Sequence, residues 1–267
     1  MKKSIVITAA LSLVAFALVA QPTPTVHSIT LPVVGDVVGF NGEHFQTDVT
    51  LGNLTSEDQR IRMEWYPQDV TSTAPRVRHA TIPAFTFETI QDFVPEILGT
   101  TGLGAVRFVA VTDDDSETDV DAAIDAFARI WTPRVDGPGT VSQSLHGVYD
   151  TQLVNSSLGV TNVVLFGLRQ NQDFRTNYGI VNLGPEERVF AVRINSSMGT
   201  TVNNIRVPAQ SMTQRAIPAG DWGDLLINIT PQDPSSARWL AYGSTVDNQS
   251  GDAWISQDAH RRYHDVQ

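Results

Sequence analysis

Apolar and polar residues alternate along several short stretches of this chain, most clearly over residues 59–66. Its apolar positions are Ile61, Met63 and Trp65, and the residues between them are charged or tyrosine. A period of two places successive side chains on opposite sides of an extended backbone. The stretch therefore predicts a β-strand with one buried face.

The same pattern recurs 129 positions later, where Phe190, Val192 and Ile194 take the places of the first three apolar residues. The segments 44–59 and 173–188 align at this offset with five identities in 16 positions. An internal repeat of this kind indicates that one structural unit occurs twice. We therefore expect two homologous units, each of which buries an apolar face of its own.

Further short strands are expected on both sides of these segments, separated by Asn, Gly and Pro turns. The expected strands are 33–38, 47–53, 77–82, 104–112, 126–132, 202–207, 225–230 and 238–246. Pro83-Ala84 and Pro208-Ala209 follow equivalent strands at an offset of 125, so the second copy lacks four residues in the preceding loop. Single helical turns are expected at 93–99 and 221–225.

About seven short strands per copy and no long amphipathic helix favour an all-β fold. We predict two tandem homologous immunoglobulin-like β-sandwich domains, over residues 28–143 and 150–258, with a flexible tail at 259–267. An eight-stranded barrel is the alternative architecture for the same strands.

The first 20 residues have the form of a secretory signal peptide. Lys2 and Lys3 precede a short apolar run that ends in Leu18-Val19-Ala20, a small-residue cleavage site. Ala15-Phe16-Ala17 is a second usable site, and an uncleaved membrane anchor is the alternative. No later segment is long and apolar enough to span a bilayer. The protein is therefore expected to be secreted, periplasmic or at the cell surface, without a transmembrane segment after cleavage.

Charge and composition narrow the range of partners. Without the two lysines, 16 Arg face 29 Asp and Glu, a formal charge of −13, and cysteine is absent. An acidic surface repels nucleic acids and anionic membranes, so neither is expected as a partner. Without cysteine, neither disulfides nor a lipid-modified cysteine is available, and the apolar core must stabilise the fold.

The repeated pattern, in which a Thr-Asp or Thr-Asn strand runs into an Asn turn and then an alternating strand, resembles the Ig-like sandwich repeats of secreted and cell-surface bacterial proteins. This resemblance implies a scaffold and assigns no functional residue. The arrangement also resembles the periplasmic chaperones of pilus assembly, which have two Ig-like domains behind a signal peptide. Those chaperones grip a subunit carboxylate with a cationic pair that includes a lysine, and the mature chain here has none.

An acidic segment at 113–125 is the most conspicuous candidate for a metal site. Its alternate acidic positions are Asp113, Asp115, Glu117, Asp119 and Asp121. Calcium prefers oxygen ligands of this kind. The EF-hand pattern fails, however, because Thr118 and Ile124 stand where glycine and glutamate are required. A solvated acidic loop is therefore the alternative to a calcium site.

Other chemistry is sparse. No Gly-x-Ser-x-Gly motif or phosphate-binding glycine loop occurs, so an enzyme is not expected. His260 and His264 have a spacing that suits metal binding on a helix, but we expect that tail to lack structure. Trp222 and Tyr149 lie in predicted turns and are the candidate ligand-binding aromatics, whereas Trp65, Trp131, Trp239 and Trp254 are assigned to the core or to a domain interface.

These features favour a non-enzymatic structural or adhesive module that binds a protein or a glycan at the cell surface through loops or sheet edges. A carbohydrate-active or metal-assisted hydrolase that uses the acidic loop is the second hypothesis. A pilus-type periplasmic chaperone is the third.

Overall fold

The computed structural model describes residues 26–39, 42–71, 74–134, 137–154, 161–233 and 238–257. The predicted signal peptide, the predicted tail at 259–267 and both histidines of that tail lie outside these residues. The described residues confirm the all-β class, with two short helical turns at Val94–Leu98 and Asp150–Gln152.

The strands follow one another at short intervals along the chain. They are β1 (Ser28–Val38), β2 (His44–Asn53), β3 (Gln59–Pro67), β4 (Arg76–Ile82), β5 (Phe87–Ile90), β6 (Gly102–Val111), β7 (Ile124–Pro133), β8 (Thr140–His146), β9 (Val148–Tyr149), β10 (Val163–Gln170), β11 (Phe174–Asn182), β12 (Arg188–Ser196), β13 (Gly199–Val207), β14 (Ser211–Ala216), β15 (Gly223–Pro231), β16 (Trp239–Asp247) and β17 (Ala253–Gln257).

These strands confirm every strand expected from the sequence. The helical turn expected at 93–99 is also confirmed; it ends at Gly99, whose φ of 61° suits glycine. The helical turn expected at 221–225 is wrong. There the backbone N–H of Trp222 donates to the carbonyl of Gln170, and Gly223 opens β15 by pairing with the same residue, so the strand ladder uses the backbone groups that a helix would need.

The strands form four layers, which we call sheets A to D. Sheet A has the order β5-β2-β7-β8 and sheet B the order β4-β3-β6-β1, with β9 added beside β1. The two are continuous through β1, which pairs with β6 as far as Asp36 and with β2 at Val37 and Val38. Sheet C has the order β14-β11-β16-β17, and sheet D the order β10-β15-β12-β13.

Strand order in the second half of the chain repeats that of the first. If β10–β17 are matched in sequence with β1–β8, sheet D has the order of sheet B, and sheet C has the order of sheet A. The strand pairing shifts register at the same point in both halves. The shift lies between Leu31 and Val34 where β1 pairs with β6, and between Leu165 and Leu168 where β10 pairs with β15. Such bulges bend a strand locally.

Two buried clusters lie between the layers. The first joins sheets A and B, and it contains the predicted core face of β3, with Ile61, Met63 and Trp65. The second joins sheets C and D, and it contains the matching face of β12, with Phe190 and Val192. The apolar phases predicted for the two alternating strands are therefore confirmed.

Sheet C is buried on both faces, which the sequence pattern did not indicate. Trp239 and Ala241 of β16 belong to the second cluster, whereas Leu240 and Tyr242 belong to the first. Strand β14 lies against β3 and β6, so the outer face of sheet B packs on the outer face of sheet C. Each half therefore buries an apolar face of its own, as expected, and β16 adds a second apolar face that the sequence pattern did not indicate.

One buried asparagine closes the same turn in each half. Asn53 and Asn182 are both fully buried. The side-chain amide of Asn53 donates to the carbonyls of Glu57, Ile82 and Pro83 at 2.8, 3.0 and 3.2 Å. The amide of Asn182 donates to the equivalent carbonyls of Glu186, Val207 and Pro208 at 2.7, 3.4 and 3.0 Å. The two glutamates are 129 positions apart and the two prolines 125, which are the same two offsets as in the sequence repeat.

Strand pairing in the first half continues past the predicted limit at residue 143. Strand β8 pairs with β7 as far as His146, and β9 pairs with β1. The second half is reached at Val154, which forms an isolated bridge with Trp239.

Candidate binding surface

The outer face of sheet A carries a group of aromatic side chains that the fold turns away from the clusters. Along β7, Ala126, Ala128 and Ile130 are buried in the first cluster. The residues between them therefore point outward. We define the aromatic face by the outward residues Phe87, Phe127, Arg129, Trp131 and His146.

Ring and charge contacts order the middle of this face. Phe127 meets the ring of His146 edge to face, with 5.1 Å between ring centroids. The guanidinium of Arg129 lies 5.7 Å from the centroid of the Trp131 ring, within range of a cation–π contact. Arg129 also lies 3.7 Å from the carboxylate of Asp48. These contacts hold the side chains in fixed positions, which lowers the entropic cost of binding.

The edge of the face is formed by β5. Phe87 stands opposite Gly52, and a methyl group on that glycine would lie 2.4 Å from the phenylalanine ring, so the ring covers the glycine. Phe87 is nevertheless 59% exposed. Phe85, two residues earlier, is exposed and adopts a φ of 50°. Gln210 has the same backbone conformation at the equivalent place, so this turn belongs to the scaffold of both halves.

One polar group on the face has no partner. The indole N–H of Trp131 is buried and makes no hydrogen bond within the part of the chain that the structure describes. A buried donor without an acceptor costs about 1–3 kcal/mol. Trp131 itself is only half-buried, so a bound molecule that brings an acceptor to the edge of this ring would recover that cost.

The two aromatic residues expected from the sequence lie elsewhere. Trp222 is half-buried and packs against the second cluster. Tyr149 is half-buried against the first cluster, in a strand paired with β1. Neither belongs to the aromatic face. Trp131 was expected in the core or at a domain interface. In the predicted strand 126–132 it occupies alternate positions with Phe127 and Arg129, and this alternation is the signal that identifies the face.

The acidic segment follows β6 and turns back on itself. Asp115 accepts hydrogen bonds from Arg62 and His79, both at 2.8 Å, and these bonds lower the pKa of its carboxyl against the opposing effect of burial. Asp114 accepts hydrogen bonds from Ser116 and Thr112, which lower its pKa to about 2. Asp119 accepts from the backbone N–H of Asp121, and the carbonyl of Asp113 accepts from Arg60.

This arrangement uses the carboxylates of the segment locally and does not gather them. The side chains of Asp113, Glu117 and Asp121 are exposed. Among the described residues, no group of three or more His, Asp and Glu side chains is placed to hold a metal ion. Calcium binding by Asp113, Asp115, Glu117, Asp119 and Asp121 stays a prediction from sequence.

Asp115 is expected to anchor the acidic segment to β3 and β4. In an Asp115→Ala variant the segment loses its bonds to Arg62 and His79, and hydrogen exchange over residues 113–121 should become several-fold faster. The free energy of unfolding should fall by less than about 1 kcal/mol, because the ion pairs are partly exposed. Asp121→Ala is the matched control and should leave exchange unchanged. Equal exchange in both variants would contradict the anchoring role.

Ion pairs and hydrogen bonds also join the two halves. Asp69, after β3, accepts from Thr213 at 2.7 Å and pairs with Arg215 at 2.9 Å. Asp150 pairs with Arg107 at 2.6 Å and also with Arg238. The contact between sheets B and C is therefore specified by charged pairs as well as by apolar residues.

Within the described residues, none of the helices has the length and apolar character needed to cross a membrane. No protein-family model, curated protein or solved structure matches the chain.

Proposed function

We propose that this chain is a non-enzymatic structural or adhesive module, secreted or held at the cell surface, which consists of two tandem homologous Ig-like β-sandwiches. Its binding surface is the aromatic face of sheet A. The observation that carries the proposal is that the equivalent face of sheet C is buried against sheet B, whereas within the described residues no sheet packs on the aromatic face, where Phe87 is exposed and Phe127 and Trp131 are half-buried.

Three independent features support the duplication. Both halves share one strand order, one ladder irregularity and one asparagine turn. Strand order depends on pairing between distant segments, so its agreement adds to the sequence repeat and does not follow from it.

The composition of the aromatic face favours a protein partner over a glycan. Aromatic residues and arginine are enriched at the centre of protein interfaces, and they carry most of the binding energy there. Phe127, Arg129 and Trp131 supply these residue types on one strand. A glycan that stacks on the exposed rings is the alternative outcome of the test.

The test measures binding of labelled protein to intact cells of the producing organism and to a printed glycan array. We expect saturable cell binding that mild protease treatment of the cells removes, and at least tenfold weaker binding by a Phe127→Ala variant, as for a residue at the centre of an interface. A matched Val120→Ala variant, in the acidic segment and 63% exposed, should bind as the wild type does.

Protease-resistant binding together with array signals would assign a glycan. Absence of binding to both cells and array would overturn the adhesive role. Equal binding by the two variants would remove the aromatic face from it.

A further inference from the structure

The contact between the two halves is of the head-to-tail kind. It joins the outer face of sheet B to the outer face of sheet C, and β17 also lies against β8 at the edge of sheet A. By strand order, sheet B corresponds to sheet D, and sheet C corresponds to sheet A. Each half therefore has one face of each type, and within the described residues one of each type has no sheet packed on it: the aromatic face of sheet A and the outer face of sheet D.

The aromatic face repeats the apolar character of the covered face of sheet C. Met212 stands opposite Val181 and is fully buried under the first half. Its counterpart in the first half is Phe87, opposite Gly52. Tyr242, also buried, corresponds to Phe127. Two apolar positions that serve the internal contact therefore have apolar counterparts on the aromatic face, of which Phe87 is exposed and Phe127 is half-buried.

The outer face of sheet D supplies the other half of the contact. In sheet B, Tyr66 stands opposite Ala105, and both are buried under the second half. Their counterparts are Asn195 and Leu226, which pair in the same way, and Leu226 is 42% exposed. Two further apolar residues of sheet D are exposed, Val202 and Phe166.

One unpaired charge on sheet D and one on sheet A are of opposite sign, beside the Arg129–Asp48 pair of the aromatic face. Arg193 lies on sheet D beside Val202, is exposed, and has no ion-pair partner in the described part of the chain. Asp125 of sheet A stands opposite Gly52. Within the described residues its carboxylate accepts a hydrogen bond only from the backbone N–H of Ala126. Opposite charges on the two faces favour their approach and disfavour the contact of either face with itself.

We propose that the partner of the aromatic face is the outer face of sheet D of a second copy of this chain. Such a contact uses two different faces and does not close on itself by symmetry, so it can continue from copy to copy as a linear assembly. The proposal names a partner for the surface assigned above, and in that respect it rests on the proposed function.

The contact between copies differs from the internal one at its rim. In the internal contact, Asp69 reaches β14 and pairs with Arg215. The hairpin between β12 and β13 is shorter, and it carries Met198, 76% exposed, at the place equivalent to Asp69. In the contact between copies, the apolar side chain of Met198 therefore takes the place of the Asp69–Arg215 ion pair, and no covalent link holds the two copies together. The assembly is therefore expected to be reversible and to depend on concentration.

The test is sedimentation velocity on the full-length mature protein at increasing concentration. We expect the weight-average sedimentation coefficient of the wild type to rise steadily with concentration. Phe87→Asp blocks one face and Leu226→Arg blocks the other, so each variant alone should remain a monomer. An equimolar mixture should form one-to-one dimers and stop there, because only one competent face of each type is left.

Val120→Asp and Val120→Arg add the same charges in the acidic segment, outside sheets A and D, at a side chain that is 63% exposed, and both should assemble as the wild type does. Thermal unfolding of all four variants checks that each is folded. A wild type that remains a monomer at about 1 mM would overturn the proposal, since its dissociation constant would then be weaker than that value. Loss of assembly in only one of the two face variants would overturn it as well, because that result describes a symmetric dimer.

Failure of this proposal is distinguishable from failure of the proposed function. Cell binding that depends on Phe127 in a protein that stays a monomer would leave the adhesive role standing and remove the second copy as partner. Assembly without cell or glycan binding would support a structural module without an adhesive role. Absence of both would remove the aromatic face as a binding surface.

Discussion

Replacing Asn53 with alanine is expected to lower the free energy of unfolding by about 3 kcal/mol. The side chain is fully buried, and its amide is shared among three backbone carbonyls that belong to two separate segments. Alanine removes all three bonds and leaves the carbonyl of Ile82 buried without that donor, at a cost of about 1–3 kcal/mol for each group that water cannot reach. Denaturant unfolding measures the change.

Asn182→Ala is the matched variant, because it removes the same bonds from the second half. We expect a loss of similar size. Thr50→Ala, which removes one exposed bond to Thr89, should cost less than about 1 kcal/mol and serves as the control. A loss below about 1 kcal/mol in both asparagine variants would show that water replaces the amide and that the turn is not held by it.

Replacing Arg107 with methionine is expected to cost about 3–5 kcal/mol at neutral pH. The guanidinium lies between Glu64 at 3.4 Å and Asp150 at 2.6 Å, and both carboxylates are largely buried where the halves meet. Methionine fills the space but leaves two buried negative charges with fewer partners, and breaking a buried pair in this way is strongly destabilising. Tyr66 still donates to Glu64 at 2.9 Å, and Arg238 still contacts Asp150, so the loss is not complete.

The cost of this substitution should depend on pH in a defined direction. Burial acts to raise the pKa of the Asp150 carboxyl, but the hydrogen bonds and charge of Arg107 outweigh burial and hold it below the ordinary value of 3.8. The carboxyl therefore stabilises the fold above about pH 3.8, and that contribution is lost as the pH falls through its lowered pKa. In the methionine variant Arg107 no longer opposes the effect of burial, so the pKa of the Asp150 carboxyl should be higher than in the wild type. The difference between wild type and variant should be largest at neutral pH and should narrow below about pH 4.

Unfolding midpoints of both proteins between pH 3 and pH 7 test this expectation, and an Asp150→Asn variant is the control. In the Asp150→Asn background, Arg107→Met should cost less, with a coupling energy above about 1 kcal/mol, as for residues in direct contact. A difference that is constant over the whole pH range would assign the loss to packing and not to the ion pair.

The local elements of this fold could be predicted from the sequence because each depends on neighbouring residues. The alternation in β3 and β12 identified their buried faces, and the shift from 129 to 125 located the shorter hairpin between β12 and β13. The same reasoning placed Asn turns between the strands but did not indicate that Asn53 and Asn182 are buried. Their burial depends on carbonyls that lie up to 30 residues away, and no local pattern reports such a contact.

The binding surface could be predicted only in part for the same reason. Phe87 and Phe127 belong to one face because β5 and β7 both pair with β2, and this pairing is a property of the whole sheet. Asp115 was one of five candidate calcium ligands in the acidic segment, and its pairing with Arg62 and His79 depends on the neighbouring position of β3 and β4. Trp222 and Tyr149 were chosen because they lie in turns, and the packing of both rings against the clusters follows from tertiary contacts.

The two apolar faces of β16 alter the effect that an inserted residue would have there. In a strand with one polar face, an insertion turns the apolar residues toward water and exposes them. In β16 it would exchange Trp239 and Ala241 with Leu240 and Tyr242, so that both clusters would still receive apolar side chains, but of the wrong volume. Misfit, with cavities on one side and crowding on the other, would then replace loss of burial as the source of damage. Residues 239–242 of this strand are constrained more by their size than by their polarity.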